Sequence, residues 1–424
     1  MDESIKSRSP FYPGQPVPVE LFTGRQDAVE RILQRGAGQV AQGKPMAFFV
    51  QEEYGIGKSS LAGFLQTVVE RQFPLHGIYV PLNGVHDLPG VSDALLQATI
   101  RSGAFDPRIS EKIGSWLSKY IGKQQLLGVS FDLERLKKDS PSITSFQGIL
   151  DFLREALAKM NDLGIRGLFL IFDEINGIAS IPEFASFIKG LVDQNALSRS
   201  PLPLLLMLCG TEERRIELIK TSEPLGRIFD VVTISPMTSP EMESFFKKAF
   251  ETSRMTITDK SLSTFTHYSA GFPKIMQLVG DMAYWIDDDQ TIDEKDASHA
   301  VIDAAEDFGK KYVDVRVYKA LRSEDYRNIL KKIGEQGPEQ MSFRKSDIES
   351  RLTGQEKRKF HNFLQKMKAL NVLRQGKPAA NMCLASAWPD CMSGFRPSGP
   401  GRTPVFQEDT PVTSRQDLFP CGSG

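Results

Sequence analysis

The sequence predicts an α/β fold: a parallel sheet flanked by helices, then an all-helical region, then a small helical unit with short strands. Three observations predict it. Apolar runs that read as strands buried on both faces recur up to Ile234 with helical patterns between them. A glycine-rich turn joins the first of these runs directly to a helix. After residue 238 the strand pattern stops, and helical spacing takes over to about Ala320.

The elements follow in order. Residues 1–20 hold Pro10, Pro13, Pro16 and Pro18 and read as an extended arm. A helical pattern runs from Gln26 to about Gln34. The strands are Met46–Val50, Gly77–Leu82, Gly167–Phe172, Leu202–Leu208 (interrupted by Pro203) and Val231–Ile234. Residues 91–160 read as mostly helical, with an insertion in 91–145, an apolar excursion at Leu126–Phe131 and an amphipathic helix from Gly148 to Met160. The division expected is an α/β domain at 21–238, a helical lid at 239–320 and a compact unit at 321–388. The stretch 389–424, rich in Pro, Gly, Ser and Thr, is expected to be disordered.

Bulk composition narrows the class. A chain of 424 residues has room for two or three domains, and 40% hydrophobic with 25% charged residues gives a core of normal size. The formal net charge of -1 excludes a protein that binds polyanions over its whole surface, so any nucleic-acid surface is local. The four cysteines fit no zinc spacing and form no Cys-x-x-Cys; Cys209 lies in an apolar run and reads as a buried thiol. A reducing, cytoplasmic setting is expected. No apolar segment approaches the roughly 20 residues that span a bilayer, and the N-terminus lacks an apolar signal core.

The turn is Gln51-Glu-Glu-Tyr-Gly-Ile-Gly-Lys-Ser-Ser-Leu61. It matches the second half of the phosphate-binding pattern Gly-x-x-x-x-Gly-Lys-[Ser/Thr]. Glycines there let backbone N–H groups face phosphate oxygens with no side chain in the way. Lys58 is placed to reach the β- and γ-phosphates, and Ser59 to offer its hydroxyl to Mg²⁺. The positive end of the following helix points at the same phosphates. Tyr54, Gly55, Ile56, Gly57, Lys58, Ser59 and Ser60 are thus the candidates for holding ATP. Glu52 stands where the pattern has its first glycine. The competing reading is a glycine turn with no ligand.

The strand Gly167–Phe172 ends in Asp173-Glu174, about 115 residues after the loop. An apolar strand delivers the first carboxylate to the metal shell, and the second is placed to polarise an attacking water. Alone, this is also how a buried strand ends in a solvated acidic turn. Together with the loop it predicts an ATPase core with Asp173 and Ser59 at Mg²⁺ and Glu174 as base.

With these motifs in place the chain resembles the AAA+ P-loop ATPases, within them the origin-recognition-like and STAND branches, over about residues 10–310. Phe22-Thr-Gly-Arg25 resembles the box that closes over adenine, with Gln26 for the usual Glu, and so implies Gly24 and Arg25 at the nucleotide. Leu204–Thr211 is similar to the sensor-1 strand, with Thr211 near the γ-phosphate. Gly271-Phe-Pro-Lys274 resembles the sensor-2 turn of the lid, implying Pro273 and Lys274 at the nucleotide, with Lys in place of the commoner Arg. The resemblance also implies an arginine finger acting in a neighbour's site, for which Arg227 is in the expected position and Arg214 and Arg215 are rivals. A surface salt bridge is the bland alternative for Arg227.

The last unit reads as three helices, at Ser323–Gly334, Ser342–Leu352 and Gln355–Leu370. Two short strands follow, Val372–Arg374 and Met382–Leu384, with Gly376-Lys-Pro378 between them. This is the winged-helix plan that the resemblance also implies. From Leu321 to Gly376 there are 13 Lys and Arg against 7 Asp and Glu. Lys357, Arg358 and Lys359 open the helix expected to enter a DNA major groove, and Arg344, Lys345, Arg374 and Lys377 are placed for phosphates. The alternative is a winged helix that makes protein contacts.

Three functions remain open on the sequence: an ATP-hydrolysing AAA+ switch that engages double-stranded DNA, a STAND-type signalling ATPase, and a nucleotide-binding scaffold of low turnover. An ATP-dependent homo-oligomer or a partner protein is expected, and no membrane partner.

Overall fold

The structure, a computed structural model, describes residues 6, 8–15, 17–52, 57–102, 108–109, 111, 116, 145–308, 323–334, 342–369, 373–375 and 381–384. Strands β1 (Met46–Glu52), β2 (Leu75–Pro81), β3 (Gly167–Asp173), β4 (Leu204–Thr211) and β5 (Asp230–Ile234) form one sheet in the order β2-β3-β4-β1-β5. Every neighbouring pair is parallel, as strands that read as continuous apolar runs require. The two-residue period explains the runs. Leu204, Leu206 and Leu208 face one layer of the core while Leu205, Met207 and Cys209 face the other, and all six are buried.

Helices fill both faces. α1 (Gln26–Ile32) continues through a π turn at Leu33–Ala37, and with α2 (Lys58–Gln72) it covers the Phe48 and Phe169 face. α3 (Leu88–Ser102), α4 (Phe146–Met160) and α5 (Pro182–Leu197) cover the Phe49 and Phe172 face. Ser145 caps α4, its hydroxyl accepting from Gly148 N at 3.1 Å, which starts the helix ahead of the predicted Gly148. β4 begins at Leu204 and not at Leu202, because Pro203 has no N–H for the ladder; its carbonyl still accepts from Leu168 N at 2.8 Å.

Beyond the sheet, α6 (Glu212–Thr221) and the short α7 (Leu225–Ile228) lead into β5. The lid holds α8 (Ser239–Thr252), α9 (Asp259–Ser269), α10 (Pro273–Ile286) and α11 (Glu294–Phe308). A two-residue parallel pair, β6 (Thr256–Ile257) with β7 (Thr291–Ile292), ties its loops together. The N-terminal arm is part of this body. Phe11 is 4% exposed among Phe245, Phe246 and Phe250, and Gly280 makes the room, since a Cβ there would lie 2.2 Å from the Phe11 ring.

The C-terminal unit contains α12 (Glu324–Gly334), β8 (Ser342–Arg344), α13 (Lys345–Glu349), α14 (Gly354–Ala369), β9 (Leu373–Gln375) and β10 (Asn381–Leu384). The helix expected over Ser342–Leu352 is corrected here. Its first three residues form a strand, with Phe343 buried and paired in register with Met382, and only Lys345–Glu349 is helical. β8, β10 and β9 make a three-stranded antiparallel sheet. The expected turn at 376–378, the excursion at 126–131 and the tail at 389–424 lie outside the described residues.

Candidate active site

Parallel strands place their carboxyl ends on one edge, and the loops that leave that edge converge. β1 ends at Glu52, paired in register with Thr211 of β4 and Ile234 of β5. The position where the pattern has its first glycine is therefore an extended strand residue, a backbone state open to any side chain. Tyr54, Gly55 and Ile56 lie outside the described residues. Gly57 takes a left-handed φ of 98° as the N-cap of α2, a conformation that suits glycine. The N–H groups of Lys58, Ser59 and Ser60 precede the first bond of that helix, Leu61 N to Gly57 O at 3.0 Å.

Asp173 ends β3 on the same edge and is 1% exposed. Three donors meet its carboxylate: the Ser59 hydroxyl at 2.7 Å and the Tyr79 hydroxyl on Oδ2, and the Glu174 N–H at 2.9 Å on Oδ1. The phosphate loop and the acidic strand end thus meet directly across 114 residues of sequence. Tyr79 carries no motif and was missed by sequence reasoning; only its place in the strand beside β3 reveals it. Burial, then the neighbouring Asp173 charge, push the Tyr79 hydroxyl upward, so it stays a donor to that carboxylate. Glu174 is partly exposed, and its backbone is left-handed at φ 56°. That turn redirects the chain out of the strand immediately at the site.

A second layer sits on the same edge. Gln51 of β1 is buried, accepts from Arg215 Nε at 2.6 Å and donates to Thr233 Oγ1 at 2.9 Å. Arg214 pairs with Glu217 at 2.7 Å. Both rivals for a finger are therefore held within their own chain. Thr211 occupies the N-cap position of α6, in register with Glu52.

No family model and no curated protein sequence matches the chain. Solved structures do. The ORC2 protein of Aeropyrum pernix, solved in ADPNP–ADP complexes, superposes with a TM-score of 0.54 at 13% identity, covering 90% of this chain and 93% of that one. A Walker-type ATPase of Pyrococcus abyssi gives a TM-score of 0.52 at 18% identity, covering 88% of this chain and 97% of that one. The chain has the fold of origin-recognition-type AAA+ ATPases.

Within this AAA+ fold the region expected as a lid meets the start of α2. Gly271, with φ 83°, sits on the segment leaving β5, its carbonyl accepting from Met237 N at 2.8 Å. Pro273 starts α10 beside Gly57, whose added Cβ would lie 3.9 Å from Pro273 Cγ. Lys274 follows in the first turn of α10 and is partly exposed. Gly24 and Arg25 are both left-handed, at φ 82° and 61°. Arg25 N donates to Glu241 Oε1 at 2.5 Å, and the guanidinium reaches the Gly57 turn. Burial pushes the Glu241 carboxyl up, but hydrogen bonds from the Arg25 and Thr238 N–H groups and the Thr238 hydroxyl outweigh it and hold it below the ordinary carboxylate range. The Gly-Arg box is thereby fastened to the cap of lid helix α8. The Ser60 hydroxyl accepts from Val17 N at 3.1 Å, so it anchors the arm and leaves only its backbone to the loop.

The remaining predicted residues lie elsewhere. Arg227 is exposed on α7, three residues before Asp230, which pairs with Phe48 near the start of β1. It is at the opposite edge of the sheet from Ser59 and Asp173. In the C-terminal unit Arg344, Lys357 and Arg358 are exposed and Lys345 is partly exposed, while Lys359 pairs with Asp325. No helix among the described residues is long and apolar enough to cross a membrane.

Proposed function

We propose that the chain binds ATP between α2 and the lid, hydrolyses it, and acts as an ATP-dependent switch whose C-terminal unit engages duplex DNA. The observation that carries the reading is the 2.7 Å bond between Ser59 and Asp173 at the N-terminus of α2. A hydroxyl and a carboxylate held together there are the hard oxygen donors that suit Mg²⁺. Ser59 and Asp173 would hold the ion, which when bound offsets charge on the β- and γ-phosphate oxygens. The first N–H groups of α2 and the Lys58 ammonium receive the phosphates. Glu174 accepts the proton of the water whose oxygen attacks the γ-phosphorus, as the bond to the β-phosphate oxygen breaks and ADP leaves. Thr211 at the end of β4 supports the γ-phosphate side.

DNA engagement rests on the C-terminal unit. Three helices and a three-stranded antiparallel sheet suit a winged helix, and Lys357 and Arg358 are exposed on the first turn of α14. The test is ATPase turnover with and without duplex DNA, in wild type and in Lys58→Ala. Wild type is expected to turn over and to be stimulated by DNA, and Lys58→Ala to be reduced by two orders of magnitude or more, on the order of 3 kcal/mol of transition-state stabilisation. Absence of wild-type turnover sinks the hydrolase. Turnover with no response to DNA, and no salt-sensitive DNA binding, moves the C-terminal unit to protein contacts.

Arg227, at the far edge of the sheet, is read as a finger for the next copy. Size-exclusion chromatography with ATP and Mg²⁺ is expected to show an oligomer that Arg227→Ala weakens. A monomer under saturating nucleotide removes that role.

A further inference from the structure

Between the arm, α2 and the lid lies a small apolar pocket bordered by Leu21, Phe22, Phe245, Met276, Gly57 and Gln277. Thr23, Arg25 and Ser60 also border it and are partly exposed, whereas Gln277 is a buried polar residue of the lining, 3% exposed. Its Oε1 accepts from Tyr12 N at 2.7 Å. A backbone N–H can only donate, so this bond fixes which end of the amide is oxygen. The other end, Nε2, is buried and has no hydrogen-bond partner among the described residues. A buried donor left unpaired is costly, and in an apolar pocket the remedy is a ligand that brings an acceptor with it.

The pocket shares Gly57 with the phosphate loop, so a nucleotide whose phosphates meet α2 can turn its base toward it. Flat apolar rings suit Phe22 and Met276. Adenine is such a ring and carries three in-plane acceptor nitrogens, N1, N3 and N7. Guanine keeps the N3 and N7 acceptors and differs at N1, where it carries an N–H donor, so a contact to N1 is the one that separates the two bases. We propose that Gln277 is a base-binding residue that donates from Nε2 to a ring nitrogen of adenine, its amide held in orientation by Tyr12 of the N-terminal arm. The same amide makes arm docking and base recognition a single event. The inference rests on the reading that ATP occupies this site.

Deaza analogues, in which one ring nitrogen is replaced by C–H, test it. Affinities of 1-deaza-, 3-deaza- and 7-deaza-ATP are compared with that of ATP on the full chain. One analogue is expected to bind about tenfold more weakly, the loss of one neutral hydrogen bond. In Gln277→Met, which keeps length but has no donor, that gap should close to within about twofold. Gln277→Asn, which withdraws the amide by one methylene, replaces it if the first variant does not fold. Three analogues that all bind like ATP, or a gap that survives in the variant, overturn the assignment while leaving ATP binding intact. Failure of ATP itself to bind overturns both readings.

Discussion

Glu174→Gln is expected to bind ATP within about threefold of wild type and to hydrolyse it about 10²–10⁴ times more slowly, the range of a lost general base. That is on the order of 3–5 kcal/mol of barrier. The selectivity of the defect follows from the geometry. Binding is assigned to Lys58, the start of α2 and the Ser59–Asp173 pair, and Glu174 is joined to that pair through its backbone N–H on Asp173 Oδ1. Glutamine keeps that N–H and the side-chain volume while removing the base. A glutamate held at φ 56° costs about 1–2 kcal/mol relative to ordinary backbone, and strain at such a position is a reason to look for a functional return. Single-turnover hydrolysis and equilibrium nucleotide binding separate the outcomes. Hydrolysis within tenfold of wild type ends the assignment, and lost binding gives Glu174 a structural or metal role instead.

The parts of the site that were legible in the sequence are those written in local patterns. The apolar runs gave the strands, and a strand followed by a glycine turn and Lys-Ser placed Gly57, Lys58 and Ser59 at the start of a helix. Asp173 was legible because it ends an apolar run, and a run that ends in a carboxylate puts that carboxylate on the sheet edge. What joins these pieces was not legible. Tyr79 on Asp173, Glu241 on Arg25 and Tyr12 on Gln277 span 94, 216 and 265 residues, and no periodicity encodes such pairs. The arm shows the same limit. Four prolines announced an extended segment, but its docking is decided by Phe11 filling the space that Gly280 leaves, a fit visible only in three dimensions. At Ser342–Arg344 local pattern misled, because three residues beside a helix take their state from a strand that arrives about 40 residues later.

Gly271→Ala is expected to destabilise the protein by about 2–5 kcal/mol and to weaken nucleotide binding with it. Two costs combine. The first is the left-handed backbone, φ 83°, worth about 1–2 kcal/mol for any residue with a Cβ. The second is collision: the added Cβ would lie 2.6 Å from Met237 O and 2.8 Å from Met237 N. Backbone cannot swing aside as a side chain can, so about 1–3 kcal/mol of overpacking adds to the first. Gly43→Ala separates the two, because Gly43 is also left-handed, at φ 89°, yet has nothing within 4 Å of its Cβ position. Denaturant unfolding should place Gly43→Ala at about 1–2 kcal/mol and Gly271→Ala clearly beyond it. Equal costs would mean that the turn is not pressed against the segment leaving β5. The functional loss follows from where the turn leads. Gly271 fixes the start of α10, Pro273 two residues on borders Gly57, and Gln277 one turn further lines the pocket beside it. Pushing Gly271 off Met237 therefore moves the lid wall of the site and the loop wall apart together, which a lesion confined to either wall would not do.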